Sequence, residues 1–183
     1  MSQFLESALD YLAGGLSVIP IEPKGKRPLL TSWKDFQNRL ASEVEIQDWW
    51  TKSPDANIGI VTGRISGIFV LDIDGERGRE SIRGKHIPAT VSAKTGKGEH
   101  YYFSLNGSTI PSKVGILEGV DIRGNGGFVV APPSIHANGN KYDWFDLLNP
   151  QETPFSEPPA WIQQLLIGTG EFEYGNAICI ITN

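Results

Sequence analysis

Asp72 and Asp74 stand one residue apart at the end of an apolar run, "GIFVLDIDG", residues 67 to 75. In a strand, residues i and i+2 share a face, so the two carboxylates would lie side by side. Like charges so placed are unfavourable unless something positive joins them. Hard divalent cations take carboxylate oxygens, and magnesium in phosphoryl-transfer sites takes one or two carboxylates plus substrate phosphates. Asp121, in "GVDIRGNGGF", is a third carboxylate on a short strand flanked by glycines. Three carboxylates can hold two cations and align an attacking hydroxyl with an α-phosphate. A lone D-x-D at a strand end serves equally well as a turn cap.

Two further stretches carry groups suited to phosphate. "AKTGKGEHYYF", residues 93 to 103, places Lys94, Thr95 and Gly96 in a flexible cationic loop and opens the next strand with His100. Glycines let backbone N–H groups approach an anion, and Lys and His neutralise it. The competing reading is a plain hairpin turn with a histidine at the core edge. In "RGNGGFVVAPPSIHANG", Arg123 shares a face with Asp121, either as a salt bridge or as a triphosphate ligand. Ser134 follows a Pro-Pro pair that fixes a rigid turn. His86 and His136 read as surface residues. The basic residues cluster twice: Lys24, Lys26 and Arg27, then Arg77, Arg79, Arg83 and Lys85. Such runs are solvated faces as often as binding sites.

These groups need elements to hold them. Phe4, Leu5, Ala8, Leu9 and Leu12 recur at helical spacing, with Ser2 as N-cap and Gly14–Gly15 as the stop. Ser42 with Glu45 three residues on is a capping-box pattern and starts a second helix. "LSVIPIEP", "NIGIVTG" and "GIFVLDID" read as strands, and "RGRESIRG" as a short helix or turn. "ATVSAKT", "HYYFSL", "VDIRG", "GFVVAPP" and "KYDWF" are further strands between Gly-rich turns. "EPPAWIQQLL" closes as a helix with proline in its first turn. The order predicts an α+β fold with a mixed or antiparallel sheet. Residues 1–166 form the domain. Residues 167–183, with the only cysteine, read as a linker remnant or a vector-derived tail.

The chain has 183 residues, 39% apolar and 20% charged, with net charge −5. That suits one globular domain and argues against coating nucleic acid by charge alone. No apolar run spans a bilayer, and the N-terminus lacks the basic start of a signal peptide. One cysteine excludes an internal disulfide, so a cytoplasmic protein without a membrane partner is expected.

Taken together, "VLDIDG", "GEHYYF" and "VDIRGNGGFVVAPPS" resemble, in order and spacing, the primase–polymerase domains of the archaeo-eukaryotic primase superfamily. "VIPIEPKGKRPLLTSW" and "NIGIVTG" look like that family's N-terminal part, and the likeness runs from about Leu9 to Leu166. The resemblance implies an RRM-like catalytic sheet beside an N-terminal α/β half. It implies Asp72, Asp74 and Asp121 as catalytic ligands of Mg²⁺ or Mn²⁺. His100 matches a contact to the incoming nucleotide's phosphates, and Arg123 and Lys94 match positions near the same triphosphate. The implied activity is primer synthesis or extension from NTPs or dNTPs on a single-stranded or primed DNA template. Such domains are fused to, or encoded beside, a helicase in plasmids, phages and prophages.

Other classes fit less of the sequence. "VLDIDG" resembles a haloacid-dehalogenase-type phosphatase motif, but Glu76 follows the glycine where that family has Thr or Val. A D-x-D glycosyltransferase leaves "GEHYYF" and "VDIRG" unexplained. A non-catalytic RRM-like module would stack bases on "HYYF". A P-loop fails, because "GRESIRGKH" has the wrong spacing and His86 in place of Ser or Thr.

Overall fold

The computed structural model describes residues 2–167. The expected tail therefore lies outside the described residues, apart from Ile167. Helix α1 (Gln3–Ala13) begins where Ser2 Oγ accepts from Leu5 N at 3.3 Å. Its apolar stripe buries Ala8 and packs Phe4, Leu5, Leu9 and Leu12 on the core. Strand β1 (Ser17–Ile21) follows, then a 3₁₀ turn at Lys34–Gln37. Helix α2 (Glu43–Lys52) opens with the expected capping box between Ser42 and Glu45. Strands β2 (Asn57–Val61) and β3 (Ile68–Ile73) come next, then α3 (Gly75–Ser81). The second half contains β4 (Ser92–Lys94), β5 (Glu99–Ser104), β6 (Lys113–Leu117), β7 (Val120–Arg123), β8 (Phe128–Ala131) and β9 (Asp143–Trp144). Helix α4 (Ala160–Ile167) closes the described chain.

The strands form two sheets, β1-β2-β8 and β6-β7-β3-β5-β4-β9, and every ladder between named strands is antiparallel. This is the α+β class. Strands β3 and β4, joined through α3 with β5 between them, make the split β-α-β arrangement of an RRM-like sheet.

Alternation along the strands gives the large sheet two working faces. Val70, Ala93 and Tyr102 turn toward the small sheet and share its core, along with α1 and α2. Phe69, Leu71, Ile73, Phe103, Val120 and Ile122 turn the other way and are covered by Ile162 and Leu166 of α4. Both strands of the β1–β2 pair are fully buried, as expected for a layer with neighbours on each side. The order of layers is thus α1/α2, small sheet, large sheet, α3/α4.

The "HYYF" aromatics follow this division. Tyr102 and Phe103 are 1% and 0% exposed and belong to opposite cores. They hold the sheet between its neighbours and offer no surface on which a base could stack.

The turn before β5 is pinned by close backbone contact. Gly98 N donates to Thr95 Oγ1 at 2.9 Å, and a Cβ on Gly98 would lie 1.7 Å from the Ile73 carbonyl oxygen. Backbone on both sides cannot yield, so Gly98→Ala should destabilise the fold by at least about 2 kcal/mol. Gly107→Ala, where φ is +79° but nothing lies within 4 Å, should cost only about 1 kcal/mol. Urea unfolding of the two variants checks the ranking, and equal midpoints would refute the contact argument.

Candidate active site

The register of the large sheet sets the site. Asp72 on β3 lies directly opposite Asp121 on β7 and, on its other side, opposite His100 on β5. Asp121, Asp72 and His100 therefore form one row across three adjacent strands, on the face turned toward the small sheet. Arg123, two residues beyond Asp121, projects from the same face.

The carboxylates meet a guanidinium. Arg123 Nη2 donates to Asp121 Oδ2 at 2.6 Å, and its Nε lies 3.5 Å from Asp72 Oδ2. The second Asp121 oxygen accepts from Gly115 N at 2.7 Å. His100 Nε2 lies 3.2 Å from Asp72 Oδ1, and its buried Nδ1 has no hydrogen-bond partner among the described residues. Burial alone would push the Asp72 carboxyl up. Contact with His100, then the charges of His100, Arg123 and Lys26, more than offset this and hold it below the usual carboxylate range.

Asp74 stands at the N-cap of α3, exposed, with no hydrogen bond from its side chain to the helix. It still belongs to this end of the sheet. Burial, then Asp72 and Asp74, push the Tyr142 hydroxyl up to about 12. Tyr142 thus remains a neutral donor at physiological pH.

Part of this group opens onto a cleft of about 310 Å³ between the large sheet and β8, whose lining includes neither Asp74 nor Asp121. Asp72, His100, Arg123 and Tyr142 form part of its wall, and Lys26, Trp33 and Phe128 another part. Lys26 comes from one of the two basic clusters; its sequence position gave no sign that it, alone of that cluster, would reach Asp72. Trp33 and Tyr142 could not be placed without the tertiary fold.

Other expected residues are elsewhere. Lys94 pairs with Glu99, one position out of step with the Ala93–His100 pair, so it projects from the opposite face of the sheet. Its Nζ sits 5.4 Å from the Phe145 ring centroid. Lys94, Thr95 and Gly96 line a second cleft of about 320 Å³ with Arg79 and Lys97. Thr95 Oγ1 is occupied by the turn, accepting from Lys97 N and Gly98 N. Ser134 is fully buried, with Oγ accepting from Ile58 N at 2.9 Å, and ties β2 to the turn after β8. His86 is exposed as expected, but His136 is partly buried, packed over Gly96. The second basic cluster is a paired surface: Arg77 with Glu118, Arg79 with Glu76 and Glu99, and Arg83 with Glu80.

The row Asp121–Asp72–His100 is carried by the three segments whose order suggested a family. The family model for the N-terminal domain of bifunctional DNA primase/polymerases matches residues 8–161. The chain belongs to that family. No individual curated protein matches it. Membership places this primase/polymerase domain among the nucleotidyltransferases of DNA replication. No helix among the described residues is long and apolar enough to cross a membrane.

The donor set suits a divalent cation. Asp72, Asp74 and Asp121 supply hard carboxylate oxygens at one end of the sheet. A positive group, the Arg123 guanidinium, already lies between two of them. Among the described residues no three ligating side chains converge as a finished metal cage.

Arg123→Met would leave Asp72 and Asp121 facing each other without that cation. Asp72 is depressed in the fold, so its stabilising share is present above its unfolded pKa, near 4, and is lost as pH falls through the folded value. The substitution should therefore cost about 1–3 kcal/mol at pH 7 in chelator-treated buffer, and progressively less below about pH 4. Denaturant unfolding across pH measures this. An equal penalty at pH 7 and pH 3 would mean that Arg123 acts through packing alone.

Proposed function

We propose that this domain catalyses DNA-templated nucleotidyl transfer, extending or making primers, in the cleft between the two sheets. The observation that carries this reading is the row Asp121–Asp72–His100 with Arg123 across its two carboxylates. Asp72, Asp74 and Asp121 would hold Mg²⁺ or Mn²⁺. When bound, such cations lower the pKa of the attacking hydroxyl and stabilise the charge on the transferring phosphate.

The chain's own residues have distinct tasks. Asp72 and Asp121 sit on adjacent strands of a sheet buried on both faces, so their separation is fixed by the backbone. Asp74, at the loop end, is exposed and free to adjust. Arg123 holds the two carboxylates together before substrate arrives and is positioned to meet a triphosphate as they take up cations. His100, held by Asp72, presents a polar edge to the same cleft and is our candidate for phosphate contact. Tyr142 keeps its proton and would be available as a donor at the cleft wall. Lys94, Thr95 and Gly96 open on the other side of the sheet, and Ser134 is committed to the fold, so we assign none of them to the same phosphates.

A phosphatase or glycosyltransferase needs only part of this row. The proposed primer extension would use all of it. Asp72→Asn, Asp74→Asn and Asp121→Asn should each reduce extension of a labelled primer–template by about 10²-fold or more, with the fold intact. Normal rates in a triple variant would end the assignment.

The charge balance separates extension from initiation. Starting a primer requires two free nucleotides and a single strand to be held with no duplex to help. Phosphate contacts supply most non-specific affinity for nucleic acid, and each needs a Lys or Arg. This chain has 16 of these against 21 acidic residues. Arg77, Arg79, Arg83 and Arg123 already face carboxylates. Affinity for single-stranded DNA should be micromolar or weaker at physiological salt, by order of magnitude. Extension of a primed template should exceed unprimed synthesis, with strong initiation needing a further domain or helicase partner. Product yields on bare and primed templates at matched salt decide this, and efficient unprimed synthesis by these residues would contradict it.

A further inference from the structure

The cleft has two kinds of wall. One is polar: Asp72, His100, Arg123 and Tyr142, with Lys26. The other is aromatic: Trp33, from the loop after β1, and Phe128, the first residue of β8. Their rings meet edge to face, with centroids 5.1 Å apart and planes at 76°. Both are half-buried and lean on the core, so the pair is rigid while part of it borders the cleft.

A nucleotide has the same division, with charged phosphates at one end and a flat apolar base at the other. We propose that Trp33 and Phe128 are the stacking wall for the base of the incoming nucleotide, and that Lys26 meets its phosphates. This inference rests on the nucleotidyl-transfer reading of the cleft.

Three observations support it. First, Lys26 has no carboxylate partner within salt-bridge distance among the described residues, unlike Arg123, yet its charge is felt at Asp72. It is a cation at the site not already used by the fold. Second, no Asn or Gln side chain lines the cleft, and its one serine, Ser112, is occupied on both sides by Gly124. Nothing beside the aromatic wall is arranged to read the hydrogen-bonding edge of a particular base. Stacking without edge contacts accepts all four bases, because each has a π-face. A templated enzyme needs that tolerance, since the template makes the choice. Third, Tyr102 and Phe103 are sealed in the two cores and Tyr101 packs on the far face of the sheet, so Trp33 and Phe128 are the rings left bordering the cleft apart from Tyr142 and His100.

The test uses the full chain with Mn²⁺ and compares two probes by calorimetry: each dNTP, and inorganic tripolyphosphate, which has the charge without the base. The wild type should bind the four dNTPs within a few-fold of one another, and about tenfold or more tighter than tripolyphosphate. Trp33→Leu and Phe128→Leu should each lose most of that advantage while binding tripolyphosphate unchanged, which also shows that they fold. Trp33→Phe should restore it. Lys26→Ala should weaken both probes by a similar factor. If Trp33→Leu and Phe128→Leu bind dNTPs as the wild type does, the base lies elsewhere and the proposal is overturned. Loss of tripolyphosphate binding in both variants would also overturn it, making the rings structural supports. A wild type that binds neither probe would instead refute the nucleotide reading of the cleft, and this inference with it.

Discussion

Two carboxylates directly opposite on adjacent strands repel, and a sheet tolerates them only with a cation between. Here that cation is Arg123, within 2.6 Å of Asp121 and 3.5 Å of Asp72. It comes from the same strand as Asp121, two residues on, so one four-residue strand supplies both a charge and its counter-charge. The pairing also sets how the site must work. A guanidinium that neutralises the pair in the resting fold would compete with a metal for the same oxygens, so on the proposed reading cation binding would require Arg123 to give them up. A triphosphate bound there would offer Arg123 a new partner in place of the old ones, which would limit the net change in buried charge.

The row itself depends on register. Shifting β7 by one residue against β3 would turn Asp121 and Arg123 into the apolar layer under α4 and bring Ile122 to the cleft. The buried alternation on β3, β5 and β7 prevents this, because Leu71, Phe103, Val120 and Ile122 are all needed in that layer. The hydrophobic pattern that makes the sheet is thus what fixes the chemistry. Two cores on the two faces hold the row in place, as a preorganised site requires.

That dependence explains which parts were legible in the sequence. Local signals were sufficient for α1 and α2, where Ser2 and Ser42 cap helices with clear apolar stripes, and for the β-branched runs of β1, β2 and β3. The pairing of Asp121 with Arg123 followed from spacing within one strand. Strand β6 carries no alternation legible in the sequence, because Gly115 sits at φ +67° and its register against β7 shifts. The resemblance implies Lys94 near the same triphosphate as His100. A hairpin turn separates them, and the parity of its pairing sends Lys94 through the sheet to the far side. Ser134 carries a hydroxyl that local sequence cannot assign to core or site; only the proximity of β2 decides it. Lys26 and Trp33 reach the cleft across the gap between the two sheets, a distance that no motif spacing encodes.

The position of the cleft at the seam between sheets has its own logic. Asp72, Asp121 and His100, which the proposed chemistry would need fixed, are on central strands of the large sheet. The groups that border the aromatic side are on a loop and on the edge strand β8 of the small sheet, which joins through β2 alone. Asn57 strengthens that joint: its amide donates to the carbonyls of Gly25 and Ile135, and its oxygen accepts from Ile135 N. One buried side chain thereby ties the loop that carries Lys26 to the turn that follows β8. The backbone on either side of Lys26 is anchored while its side chain stays exposed. A cation on a fixed backbone, opposite carboxylates on a fixed sheet, leaves only side-chain motion to accommodate a substrate, and that is the least costly motion a preformed cleft can use.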